Sequence, residues 1–412
     1  MTDTIVVVGG GLAAASLAVS YREAGGEEVV TILSADDRPP YNRPPLSKGF
    51  LRGEMEDEAD AYVQPARFYD DNVIELRLET EVRAVDTGAH EIELAGGERV
   101  PYGTLVIASG ATPRSLPLPG MDLVGLHTYR TLADATAVRE AAAEARKALV
   151  VGGSFIGSEV AASLRMRGLE VALVEMGERL MPALGSAELS EQLAALYREQ
   201  GVHLLLGDAL EELHSNGRLL TGARTAQGHE VEAYLGVVGV GVEPNVSFLD
   251  PEQLKLDNGV VVDERFRSSA DDVYAIGDVA QFPDPVFGRP RRIEHWSNAN
   301  AQGSHLGRQL AGAREPWDEI SVFFTQLFDV KLQVLGDVDG GVDDVLLLGS
   351  IDEGRLAGFH RRDGKVVGAV LHGQSADVVE QAKTILREQP EADDAEALLA
   401  DPRFRPATAA RG

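Results

Sequence analysis

Residues 5–15 read Ile-Val-Val-Val-Gly-Gly-Gly-Leu-Ala-Ala-Ala. A short β-branched run of this kind suits a strand covered on both faces of a parallel sheet. Residues 12–24 are alanine-rich and predict a helix, closed by Gly25-Gly26. Residues 29–33 predict the next strand and complete a βαβ opening. Within it, Gly9-x-Gly11-x-x-Ala14 occupies the strand-to-helix turn. Gly9 allows the tight turn, Gly11 lets backbone approach a pyrophosphate, and Ala14 fits helix against strand. The free N–H groups and positive dipole end at the helix start suit phosphate. Such a unit calls for an acid after its second strand to hold ribose hydroxyls. Asp36 is the candidate, with Ala35 at the alternative position.

The pattern recurs. Residues 148–151 predict a strand, Gly152-x-Ser154-x-x-Gly157 a turn, 155–166 a helix ended by Gly168, and 171–174 a strand. Ser154 replaces the middle glycine and is small enough for close approach of a pyrophosphate. Glu175 ends the strand, where a carboxylate accepts from the adenosine 2′- and 3′-hydroxyls. It would repel a 2′-phosphate, and Glu178 adds to this, so the pattern favours NADH over NADPH. Both copies continue into alternating segments with turn signals, 82–100 and 211–235, and close on apolar strands at 105–108 and 235–240. The shared order marks an internal duplication, near 1–112 and 148–245. Two dinucleotide folds suggest two dinucleotides, one a bound flavin and the other a visiting nicotinamide.

Beyond residue 318 the character changes. Segments 323–335, 345–348, 356–361 and 366–371 are strand-like and 376–387 reads as a helix, which predicts a small α+β domain. The tail from Pro390 is expected to be mobile at its end. The fold class is therefore α/β, with two Rossmann-like dinucleotide-binding domains plus a small α+β C-terminal domain.

The 412-residue chain carries 66 Asp and Glu against 38 Lys and Arg, a net charge of −28. Bulk charge of that sign repels a phosphate backbone, so no nucleic-acid partner is expected. There is no cysteine, which excludes disulfides, thiolate metal sites, iron–sulfur clusters held by this chain and redox-active thiol pairs. Residues 5–21 are uncharged, but no cation precedes them and three glycines interrupt them. They read as a folded segment rather than a leader, and no stretch reaches membrane-span length. The expectation is a cytoplasmic protein, monomeric or homodimeric, without a resident metal.

Several strings together resemble the two-dinucleotide-fold flavoprotein reductases, specifically the ferredoxin and rubredoxin reductase family related to the apoptosis-inducing-factor flavoproteins. They are VVVGGGLAAASLA (6–18), RPPLSK (43–48), ASGATPR (108–114), GGSFIGSEVA (152–161), GVGVEPN (239–245), VYAIGD (273–278) and IEHWSNANAQG (293–303). The resemblance implies FAD and NADH as cofactors. It divides the chain into a first FAD-binding part at 1–112, an NAD-binding domain at 113–240, a second FAD-binding part at 241–318 and a C-terminal domain at 319–412. It also implies residue roles. Asp278 resembles the aspartate on the flavin ribityl chain, Lys48 the lysine beside the isoalloxazine, and Glu159 the acid that pairs with that lysine. Arg130 resembles the arginine at the flavin diphosphate, Val82 a backbone contact to adenine, and Trp296 a residue against the flavin. Further cofactor contacts are implied at Ala13, Arg43, Ala108, Phe155, Ile156, Gly241 and Gly277. Ser109 departs from the family's usual threonine, a close substitute.

These roles make physical sense. Reduced flavin is an anion that a lysine cation stabilises, and pairing with Glu159 offsets the desolvation of Lys48. His295 reads as structural. Within the wider superfamily the disulfide reductases and NADH peroxidases need cysteine beside the flavin, so the absence of cysteine points to a one-electron outlet, a ferredoxin or rubredoxin feeding an oxygenase. Such carriers are acidic, which predicts a local basic docking patch at Arg289, Arg291 and Arg292. The string VFFTQLFDVKLQ (322–333) leans equally towards the apoptosis-inducing-factor branch. The alternative is therefore an NADH-responsive redox sensor or interaction protein.

Overall fold

The computed structural model describes residues 4–338 and 341–404. The chain divides into two compact units. One comprises residues 1–42, 57–112 and 242–321, and the other 43–56, 113–241 and 322–412.

In the first unit five parallel strands lie in the order Val273–Ala275, Thr104–Ile107, Thr4–Val8, Val29–Leu33, Ile74–Arg77. The helix Leu12–Glu23 follows the first of these in sequence and buries most of its residues. It packs against the helix Trp296–Leu310 at close range, because Gly303 and Gly307 have no Cβ. A methyl on Gly303 would stand 2.3 Å from the Ala13 carbonyl oxygen, and one on Gly307 2.4 Å from that of Leu17. A three-stranded meander, Val82–Asp86, Glu91–Leu94 and Arg99–Pro101, fills the crossover to Thr104–Ile107.

The second unit repeats this plan. Its parallel order is His203–Leu206, Glu170–Glu175, Lys147–Val151, Leu235–Val238, Leu126–Thr128. Its meander is Leu210–Asn216, Leu219–Thr225 and Glu230–Glu232. Strand order and meander recur together, so the duplication in the sequence is one of folds. The same unit carries an antiparallel sheet in the order Val322–Leu327, Val330–Gly336, Lys365–His372, Arg355–Arg362, Asp344–Ser350. Ala376–Glu388 and Ala395–Ala400 are helices. The end of the tail, past Phe404, lies outside the described residues.

His360 is fully buried in this sheet, its Nε2 2.7 Å from the Leu184 carbonyl oxygen. Burial pushes its pKa down. A histidine depressed in the fold contributes fully above its unfolded value near 6.5, and that contribution is lost as pH falls towards the folded value. The thermal midpoint is therefore expected to drop on acidification below about pH 6.5. His360→Gln is expected to flatten that drop, and superimposable profiles would rule the effect out.

Candidate functional site

The first glycine turn is fixed by sterics. Gly9 has φ +117°, and a Cβ there would stand 2.3 Å from the Ala108 carbonyl oxygen. Gly11 caps the helix, and no side chain caps the helix's first N–H groups. A twelve-residue helix starting this way offers an anion both free donors and a positive dipole end. Ala13 and Ala14 are buried behind the turn. Gly277, at φ +74°, brings the 3-10 turn Gly277–Val279 that carries Asp278 against Ala13, where a Cβ would stand 3.1 Å from the alanine methyl. The Gly277 N–H donates to Gln302 Oε1 at 2.7 Å. The Nε2 of this wholly buried glutamine has no hydrogen-bond partner among the described residues. A dry amide donor without an acceptor is costly. Together with the uncapped helix start, it fits a bound dinucleotide bearing oxygen and nitrogen acceptors.

Other expected contacts of this unit lie as follows. Ala108 N–H donates to Val8 O at 2.8 Å. Ser109 Oγ donates to the Asn245 carbonyl at 2.7 Å. Val82 is half-buried and opens a strand opposite Leu94. Trp296 begins its helix, is 41% exposed, and donates from Nε1 to Asn42 Oδ1 at 2.7 Å. The Asp36 carboxylate accepts from Tyr41 OH at 2.9 Å and Arg38 N–H at 3.1 Å. The position matching Glu175 by register is Ser34, which the sequence reading missed. Gly9 N–H bonds Leu33 O as Gly152 N–H bonds Val174 O, and a Cβ on Gly10 would meet Ser34 as one on Gly153 meets Glu175. The repeated glycine turn was the signal that could have found it.

The second turn is tighter still. Gly152 has φ +104° and faces Gly239 O, while a Cβ on Gly157 would stand 1.9 Å from Gly152 O. Ser154 takes the cap position without a side-chain cap bond. Both oxygens of Glu175 accept backbone N–H groups, from Gly153 and Gly177, each at 2.6 Å. The carboxylate is thereby aimed beside the turn. Ile156 is exposed, and Phe155 meets Phe323 edge-on at 5.0 Å. Gly241, at φ +97°, accepts from Arg114 N–H through its carbonyl. Arg130 N–H donates to Asp134 at 2.9 Å, and Arg43 O accepts from Leu46 N–H. Both arginines are half-buried in the second unit.

One turn into the same helix lies a buried ion pair. Lys48 Nζ stands 2.6 Å from Glu159 Oε2, with both side chains nearly inaccessible. Lys48 sits in the irregular turn Leu46–Phe50 with a non-helical φ/ψ of −122°, −110°. Its ammonium also donates to Pro44 O at 3.1 Å and lies 5.7 Å from the Phe324 ring centre. Ser47 and Thr325 donate hydroxyls to the two oxygens of Glu159. Such saturation repays much of the desolvation of a buried pair. Tyr129 and Tyr197, whose hydroxyls donate to backbone carbonyls, are pushed above the usual phenol range by burial, with the Glu159 charge adding to it.

The expected basic docking patch finds no support at two of its three arginines. Arg291 is buried and pairs with the equally buried Asp284 at 3.0 Å, beneath the Phe287 ring. Arg292 donates to Asp278 O at 2.9 Å and to Asn258 Oδ1, and pairs with Glu294. Strand alternation turns Arg291 inward, and internal acceptors occupy the Arg292 guanidinium, so these two arginines do not form a free cationic face. Among the described residues no cluster of His, Asp and Glu suits a metal, and no helix is long and apolar enough to cross a membrane.

The chain is 33% identical over 387 residues to rhodocoxin reductase of Rhodococcus erythropolis, covering 94% of this chain and 90% of that protein. The crystal structure of the ferredoxin reductase for the CYP199A2 system from Rhodopseudomonas palustris superposes with a TM-score of 0.91 at 32% identity, covering 99% and 100% of the two chains. The covalent putidaredoxin reductase–putidaredoxin complex gives 0.90 at 26% identity, covering 97% and 96%. Residues 3–303 match the family model described as pyridine nucleotide-disulphide oxidoreductase. The chain belongs to that family.

Proposed function

We propose that this chain is an NADH-dependent flavoprotein reductase that passes electrons singly to a ferredoxin-type iron–sulfur protein, in the service of a monooxygenase or dioxygenase. The observation that carries the reading is a glycine turn set twice on the same five-stranded plan, in a chain with no cysteine. Bound FAD supplies the step from a two-electron donor to one-electron acceptors. The chain's residues do the rest. The first turn, Gln302 and Asp278 hold the flavin nucleotide. The second turn and Glu175 hold NADH, and Glu175 disfavours a 2′-phosphate. Lys48, kept in place by Glu159, provides the cation for the reduced flavin. The protein works in the cytoplasm as a monomer or homodimer.

The sensor alternative is not favoured, because similar proteins are named ferredoxin reductase components of dioxygenase systems. The experiment is NADH-driven reduction of a panel of [2Fe–2S] ferredoxins and rubredoxins by the purified yellow protein. Many turnovers with at least one carrier are expected, with NADH preferred to NADPH. A long-lived reduced protein that ignores every carrier would overturn the reading.

A further inference from the structure

The ion pair of Lys48 and Glu159 depends on a residue outside both glycine turns. The Glu159 carboxylate is 3% exposed, so each oxygen must find its donors within the protein. Oε2 is shared by Lys48 Nζ at 2.6 Å and Ser47 Oγ at 2.5 Å. Oε1 accepts from Thr325 Oγ1 at 2.7 Å. Thr325 is 1% exposed and lies in the strand Val322–Leu327 of the antiparallel sheet, 166 positions along the chain from Glu159.

The rotation that places one carboxylate oxygen places the other. A donor on Oε1 therefore sets where Oε2 points, and Oε2 is what Lys48 follows. We infer that Thr325 is a positioning residue, whose hydroxyl fixes the Glu159 carboxylate and through it the Lys48 ammonium. The other holds on Lys48, namely the Pro44 carbonyl, the Ser47 hydroxyl and the Phe324 ring, carry no formal charge. Tyr129 and Tyr197, which feel the Glu159 charge, are phenols kept neutral by burial, so they do not compete for Lys48. The inference rests on the proposed role of Lys48 towards the flavin.

Threonine allows hydroxyl and shape to be separated. Thr325→Val keeps the shape and loses the donor, and Thr325→Ser keeps the donor and loses the methyl. In the FAD-loaded enzyme, Thr325→Val is expected to slow flavin reduction by saturating NADH about ten-fold, the scale of a lost hydrogen bond to a buried charge. It is also expected to move the flavin midpoint potential to more negative values, because the cation is less well placed for the reduced form. Thr325→Ser is expected to restore both, with FAD content and unfolding midpoint confirming that each variant folds. In a Glu159→Gln background, Thr325→Val should add little to either readout or to denaturant stability.

Wild-type rate and potential in Thr325→Val would overturn the inference. So would equal damage from serine and valine, or full additivity with Glu159→Gln. Should the wild-type holoenzyme not be reduced by NADH, the proposed function falls. The stability cycle between Thr325 and Glu159 then still reads the coupling by itself.

Discussion

Lys48→Met is expected to slow NADH-driven flavin reduction about 100-fold, the scale of losing one preorganised electrostatic partner of a reacting group. It is also expected to cost about 3 kcal/mol of stability, because methionine fills the space of the stem but leaves the Glu159 carboxylate buried without its cation. The hydroxyls of Ser47 and Thr325 remain as donors, so the unit still folds. The two effects have separable origins. Removing Glu159 as well, in Lys48→Met/Glu159→Leu, takes the unpaired charge away and is expected to recover most of the stability. The rate should stay low, since no cation returns. Stopped-flow flavin bleaching and urea unfolding read the two quantities independently. A Lys48→Met enzyme that reduces its flavin at the wild-type rate would remove Lys48 from the reaction.

What the sequence disclosed follows from how locally each feature is determined. The two glycine turns, their flanking strands and the helix Phe155–Met166 were legible because each rests on consecutive residues whose constraint is steric. The helix Trp296–Leu310 was not. Its Ser, Asn and two glycines are weak helix formers, and it forms because those glycines admit the first helix at backbone contact range. The helix Leu132–Glu144 was missed although Thr131 and Asp134 form a reciprocal capping box that was readable at its start. Lys48 and Glu159 were named through family resemblance. Neither the irregular backbone at Lys48 nor the hydroxyl of Thr325 on Glu159 has any local signature, since each depends on segments distant in sequence. The arginine run misled at Arg291 for the opposite reason. Charge was read from sequence as surface charge, and a strand that points alternate residues inward buried Arg291 against Asp284.

Paired substitutions in the two glycine turns should separate the two nucleotides. In Gly157→Ala the new methyl would stand 1.9 Å from the Gly152 carbonyl oxygen, and both groups belong to the backbone. The turn must open by roughly 1 Å, a misplacement on the order of 100-fold in NADH binding and reduction. The first unit is untouched, so the protein should stay yellow and still bleach with a chemical reductant. In Gly9→Ala the methyl would stand 2.3 Å from the Ala108 carbonyl oxygen at φ +117°, a conformation that side-chain-bearing residues rarely adopt. That variant is expected to lose most of its FAD while still binding NADH, measured by calorimetry. The contrast matters more than either loss. If each variant lost both nucleotides, with unfolding midpoints unchanged, the two turns would not be separate sites, and the assignment of one dinucleotide to each would be wrong.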